Sequence, residues 1–251
     1  MFSRDKSLKG PYSQEFVPTP FGSHWFQSRL VGSGKTVLEV GCGFGAVSRE
    51  LQRNGCKVYG IELNPKRARI AAQFCEEVMC RNIEEITRLE FEKKEFECIL
   101  LGDVLEHLIN PDVILNRLGE FLAPHGRIIL SVPNIANWSV RWDFLKGKFE
   151  YQSEGLLDKT HLRFFTFRSI NQMIQECGYR VLFWNVTQGI TTVDFDRMRV
   201  RPWYLSPVSH RFQGKKSYEH VLNSLSKTLP SLFAYQLIFE LGKQDHWALR
   251  T

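Results

Sequence analysis

From residue 37 the chain alternates short apolar runs with amphipathic ones. Residues 37–40 read as a strand. Residues 44–54 read as a helix, with Val47 and Leu51 four apart on one face. Residues 57–63 (KVYGIEL) predict a second strand, and residues 65–78 a second helix opened by Pro65, where no N–H is needed. A short third strand is expected at 78–80, and a strong fourth at 96–101 (FECILL). Residues 111–122 predict a helix with Pro111 near its start and Gly126 beyond its end. Residues 127–132 (RIILSV) form a fifth strand closed by Pro133, residues 167–177 a helix ended around Gly178, and 180–186 and 233–241 two late strands. Strands separated by helices predict an α/β fold of about seven mainly parallel strands with helices on both faces. Such sheets bind ligands at the carboxyl ends of their strands. Two aromatic and basic segments, 134–166 and 189–232, break the alternation and are expected to form a small lid over that edge.

Length and composition narrow the picture. The 251 residues suit one α/β domain spanning 1–251. The polar start MFSRDKSLKGPYSQEF has no apolar core of the kind a signal peptide carries, and no apolar run reaches the roughly 20 residues that span a bilayer. The cysteines Cys42, Cys56, Cys75, Cys80, Cys98 and Cys177 form no CxxC pair, a pattern that fits reduced thiols and a cytoplasmic location. The net charge of +6 is uneven: Arg197, Arg199, Arg201, Arg211, Lys215 and Lys216 lie in a stretch with no acid, interleaved with Trp203, Tyr204 and Phe212. That stretch is either a solvated loop or a surface for phosphate, anionic lipid or nucleic acid.

Candidate chemistry follows the strands. After the first comes EVGCGFGA, where Gly41, Gly43 and Gly45 let the chain bend sharply and let a ligand approach the backbone. The next helix presents free N–H groups there. Gly41, Gly43 and Ala46 also satisfy the dinucleotide pattern G-x-G-x-x-G/A, so the turn by itself fits two cofactors. Glu62 ends the second strand, where an acid accepts from ribose hydroxyls in either case. Glu39, two residues before Gly41, would repel a pyrophosphate and welcome a cationic amino-acid ligand. In GDVLEHL, Asp103, Glu106 and His107 stand at i, i+3 and i+4, and a helix there would put them on one face. They could activate a hydroxyl, hold a cation, or cap a helix start.

The run VLEVGCGFGAVSREL, then VYGIEL, FECILLGDVLEHL and GRIILSVPN, resembles the class I S-adenosylmethionine-dependent methyltransferases over about 100 residues. The resemblance implies a Rossmann-like sheet and S-adenosylmethionine as cofactor. It places the methionine part on the turn Gly41-Cys42-Gly43 to Gly45, with Glu39 before it. The ribose falls to Glu62, with Leu63 beside it, and the adenine to Asn82-Ile83, while Gly102 and Asp103 lie beside the methionine part and the substrate. The family often has Asp where Asn82 stands; the Asn carbonyl can still accept from the adenine amino group.

The stretch LLDKTHLRFFTF, which carries His161, resembles one in the ubiquinone-biosynthesis O-methyltransferases. Residues 30 to 241 resemble bacterial methyltransferases of cell-envelope polysaccharide clusters, through D-x-x-E-H, THLRFFT and a late PSLFAYQ strand at 230–236. Relatives with D/E-x-x-E-H, among them small-RNA 2′-O-methyltransferases, bind a magnesium-type ion, and the matching ligands here are Asp103, Glu106, His107 and His161. Two imidazoles lean instead toward manganese, zinc or no metal. Without metal, His161 is the first choice of base for an acceptor hydroxyl and His107 the second. The expected acceptor is a glycan, nucleotide sugar or other small hydroxylated molecule. Trp138, Arg141, Trp142, Phe144, Lys146, Lys148 and Tyr151 suit a lid over it or a lid core of their own. An RNA 2′-O-methyltransferase, a nicotinamide oxidoreductase and a non-catalytic scaffold are the alternatives.

Overall fold

A computed structural model describes residues 22–91, 93, 95–188 and 227–244. The expected strands and helices form, with shifted ends. The order is α1 (Ser23–Val31), β1 (Thr36–Val40), α2 (Ala46–Arg53), β2 (Lys57–Ile61), α3 (Pro65–Ala71), β3 (Glu77–Met79), β4 (Phe96–Gly102), α4 (Pro111–Gly119), β5 (Leu122–Pro133), α5 (Trp138–Leu145), α6 (Phe167–Glu176), β6 (Tyr179–Gln188) and β7 (Ala234–Lys243). The seven strands make one sheet in the order β3-β2-β1-β4-β5-β7-β6. The first five are parallel; β7 runs antiparallel to both β5 and β6.

Period-2 alternation gives the sheet two apolar faces. Leu38, Val40, Ile99, Leu101, Ile128 and Leu130 point into one core with Ile114, Leu115 and Leu118 of α4 and Ile170 and Ile174 of α6. Val37, Cys98, Leu100 and Ile129 point into the other, with Val31 of α1 and Val47 and Leu51 of α2. Each fully buried aliphatic side chain contributes about 1.5–3 kcal/mol, which fixes the central strands firmly. Local signals set the helix ends. Asn64 caps α3 by accepting from Lys66 and Arg67, with Pro65 in the first turn. Thr166 and Ser169 form a reciprocal capping box on α6, and Gly178 follows it at φ +75°.

Three expectations are corrected. The segment GDVLEHL does not open an α-helix: Asp103 turns left-handed at φ +55°, Leu105–His107 makes one 3-10 turn, and the α-helix waits for Pro111. Asp103 is diverted because its N–H bonds Ser131 on β5. The second predicted helix stops at Ala71, because β3 already pairs with β2 from Glu77. Residues 230–236 are not all strand: Pro230–Phe233 is a helical turn and β7 begins at Ala234. Within 134–166, Trp138–Leu145 is a helix, and Val140, Leu156 and Leu157 form a small core of their own with Ile135, Phe164 and Tyr235. The basic stretch 197–216, the polar start and all but 227–232 of the second expected lid segment lie outside the described residues. No helix among the described residues is long and apolar enough to cross a membrane.

Candidate active site

The strand order reverses direction at β1 and β4: the chain leaves β1 for β2 on one side and returns to β4 on the other. That switch point opens a crevice at the carboxyl ends of the strands, and the predicted site residues gather there. Gly41, Gly43 and Gly45 all have positive φ, of +71°, +56° and +77°. The backbone of Gly41 and Cys42 bonds the Ile61 carbonyl, tying the turn to β2. The glycines are not equivalent. A side chain at Gly41 would strike Val104, and one at Gly45 would strike Phe74 and the Ala71 backbone, whereas one at Gly43 would enter open space. Gly43 therefore faces open space on the outer side of the turn. Cys42 turns its sulfur inward against Gly60, so only its backbone borders that side.

Both acids are buried beside this turn. Glu62 accepts from the N–H of Gly43 and of Asn64, at 2.8 Å each, and so holds the turn as well as the β2 end. Glu39 accepts from the Ser48 hydroxyl of α2 at 2.6 Å. Burial raises its pKa to about 7 against the lowering effect of the Ser48 bond, and the Glu62 charge adds to the rise. Leu63 is exposed just beyond β2. Asn82 caps the 3-10 turn Ile83–Glu85, its carbonyl accepting from Glu84 N–H, and Ile83 is buried.

Gly102 ends β4 with the Gln27 amide pressed against its α-carbon. Asp103 beyond it is tightly held. Its Oδ1 accepts from Ser131 Oγ at 2.6 Å and its Oδ2 from Gln236 Nε2 at 2.7 Å, while Gln27 Nε2 donates to Ser131 Oγ at 2.8 Å. Gln27, Ser48, Ser131 and Gln236 were missed by sequence reasoning. They are buried or half-buried polar positions on elements chosen for their apolar residues, and no motif marks them.

Three of the four residues expected at the reaction end come together. Glu106, His107 and His161 place one ligand atom each within 4.8 Å of one another, and Asp103 is not in the group. The His161 loop is docked by the Glu106 carbonyl, which accepts from the N–H of Leu162 and Arg163. The two imidazoles meet edge to face, with centroids 4.9 Å apart. Glu106 is 1% exposed and neither carboxylate oxygen has a hydrogen-bond partner. It therefore does not close a capping box on Asp103. Burial pushes its pKa well up, with Asp103 adding to the rise. His161 Nδ1 is likewise buried without a partner, and burial, then the neighbouring His107, lowers its pKa. His107 Nδ1 lies 3.1 Å from the Thr160 carbonyl. A carbonyl only accepts, so Nδ1 carries the proton and Nε2 presents a lone pair.

A five-stranded parallel sheet closed by β7 and β6, with a glycine turn after β1 and buried acids on β1 and after β2, defines the class I methyltransferase fold, whose cofactor is S-adenosylmethionine. The methyltransferase domain family matches residues 25–182, and the chain belongs to it. It is similar to the ubiquinone biosynthesis O-methyltransferase of Dechloromonas aromatica, at 29% identity over 130 residues, or 49% of this chain and 56% of that protein. The chain thus spans about half the length of the curated relatives it matches. Among solved structures, a SAM-dependent methyltransferase from Archaeoglobus fulgidus aligns at TM-score 0.56 and 16% identity, covering 88% of this chain and 95% of that one. The N-methyltransferase NodS of Bradyrhizobium japonicum, solved with S-adenosylhomocysteine, aligns at TM-score 0.54 and 15% identity, covering 90% and 89%. These two likenesses show the fold.

Proposed function

We propose that the chain transfers the methyl group of S-adenosylmethionine to a hydroxyl oxygen of a small polar acceptor, a glycan or nucleotide sugar. The observation that carries this is the pair of imidazole lone pairs beside Glu106, next to the cofactor turn through the Val104–Gly41 contact. The sulfonium makes its methyl group electrophilic without help, so the protein has to align the acceptor and remove a proton. A sugar hydroxyl holds its proton far above neutral pH, so a base or a cation matters most for an oxygen acceptor. The methionine part lies on the open side of Gly43 with its ammonium toward Glu39, and Glu62 takes the ribose. Leu63 and Asn82-Ile83 border the adenine, and Gly102-Asp103 the reacting end.

His161 is the base of first choice and His107 the second. Burial keeps His161 neutral at ordinary pH, the form a base needs. Glu106, His107 and His161 also fit a divalent cation, because a buried carboxylate with both oxygens unpartnered is costly unless something positive meets it. When bound, such an ion would lower the pKa of an acceptor hydroxyl. The helix α5 and the loop to His161 form the lid over the acceptor, a role supported by the ring contacts from Phe144 through Phe149 and Phe164 to His161. The six cysteines are unpaired, which supports a reducing compartment such as the cytoplasm.

The ubiquinone relatives favour a second acceptor class, a phenol. The family match decides for the methyl donor over a nicotinamide cofactor. The test is methyl transfer from labelled S-adenosylmethionine over nucleotide sugars, phenols and RNA, with wild type and His161→Ala. The variant should keep S-adenosylhomocysteine affinity within about threefold and lose turnover by at least a hundredfold, in the range one general base supplies. The acid limb of turnover should lie below pH 6.5, the ordinary histidine value, because the shift is downward. Equal turnover in the variant would remove His161 from the chemistry, and transfer to RNA alone would overturn the acceptor class.

A further inference from the structure

Resting on the reading that the Glu106 group acts on the acceptor hydroxyl, we propose that the cation held there has three protein ligands, Glu106, His107 and His161. Asp103 is withheld from it, and the site accordingly selects manganese, cobalt or zinc over magnesium.

The spacing D-x-x-E-H invites a fourth ligand from Asp103, and the geometry refuses it. The left-handed backbone at Asp103, φ +55°, breaks the helical face that would have aligned it with Glu106. Both of its carboxylate oxygens are already engaged, Oδ1 by the Ser131 hydroxyl and Oδ2 by the Gln236 amide. Ser131 is fully buried and is itself held by Gln27, which is 1% exposed. Swinging Asp103 onto an ion would take the acceptor away from the buried Ser131 hydroxyl and the half-buried Gln236 amide. The other three differ. Both Glu106 oxygens and His161 Nδ1 are buried without partners. His107 is already set as a ligand usually is, with one ring N–H given to a backbone carbonyl and the other nitrogen left bare.

The donor set then decides the ion. Magnesium demands near-octahedral oxygen and gives up water reluctantly. Two imidazoles and one carboxylate suit borderline transition ions. Three protein ligands leave positions open, as catalytic sites do. A divalent ion with one carboxylate and two neutral imidazoles carries a net charge of +1. With both imidazoles given to the ion, the base role of His161 would pass to it: such an ion would lower the pKa of an acceptor hydroxyl, whose proton would go to water.

The test uses the full chain after removal of metal with a chelator. Manganese, zinc and magnesium are titrated calorimetrically, and cobalt is followed by its visible absorption. Manganese or zinc should bind one equivalent at least tenfold more tightly than magnesium, and cobalt should give the bands of a nitrogen-containing site. Glu106→Gln and His161→Ala should each weaken manganese binding at least tenfold while leaving S-adenosylhomocysteine affinity within about threefold. Asp103→Asn, checked for folding by its melting curve, should change manganese affinity by no more than about threefold. Equal loss in Asp103→Asn and Glu106→Gln would overturn the proposal, as would magnesium binding as tightly as manganese, or no cation binding at all. Failure of wild type to bind S-adenosylhomocysteine would instead sink the methyltransferase reading, so the two failures are distinguishable.

Discussion

Glu39 is the residue whose protonation the proposed placement of the cofactor would couple to binding. Burial raises it to about pH 7, with Glu62 adding to the rise and only the Ser48 hydroxyl opposing. A cationic ammonium beside it would favour the carboxylate and lower that value, so binding would release a proton below pH 7. The sign follows: S-adenosylhomocysteine affinity should rise with pH from 6 and level off above about 7. Calorimetry at pH 6 and 8 checks this, and Glu39→Gln should bind more weakly with the slope gone. An identical slope in the variant would show that some other group titrates. Glu62 and the glycines were legible because they follow apolar strands, and Glu39 and the two histidines because they stand in short recognisable motifs. Their partners were not. Ser48, Ser131, Gln27 and Gln236 carry no signal, since a buried hydroxyl or amide is informative only once its neighbour is known.

Elements were legible where burial is periodic. Helix α2 shows Val47 and Leu51 on one face, and both are buried. Helix α1 was missed because two of its three buried residues, Gln27 and Ser28, are polar, and hydrophobic spacing cannot find a face that bonds rather than packs. Helix α5 buries only Val140, so its apolar residues have no period to detect. At the glycine turn, Gly43 and Gly45 separate binding from folding. Ala at either position meets the left-handed penalty of about 1–2 kcal/mol. Gly45→Ala adds a clash with Phe74 and Ala71, worth about 1–3 kcal/mol more. Gly43→Ala meets nothing in the protein and projects into the open space where the proposed cofactor would lie. Melting should therefore fall further for Gly45→Ala, while S-adenosylhomocysteine affinity should fall at least tenfold for Gly43→Ala. Full cofactor affinity in Gly43→Ala would place the ligand elsewhere.

At the scale of the molecule, β7 closes the site. It inserts between β5 and β6, brings Gln236 to Asp103, and sets Glu240 against Arg127. Its entry is fastened by two buried amides: Asn134 and Asn137 both donate to the Ala234 carbonyl, at 2.9 and 2.8 Å. Asn134 also donates to the Pro230 carbonyl. Asn134→Ala should cost about 2 kcal/mol, or roughly 4–8 °C of melting temperature for a chain of this size. A melting point unchanged within a degree would mean that β7 is held by its ladder alone. The sequence by itself determined the alternating α/β pattern, the glycine turn with its two acids, and the methyltransferase resemblance, because these are local patterns of burial and backbone need. Only the tertiary structure decided the strand order, the antiparallel β7, and which members of Asp103, Glu106, His107 and His161 lie together. Those depend on long-range hydrogen bonds: Ser131 and Gln236 reach Asp103 from 28 and 133 residues away and turn it from the group that its spacing suggested.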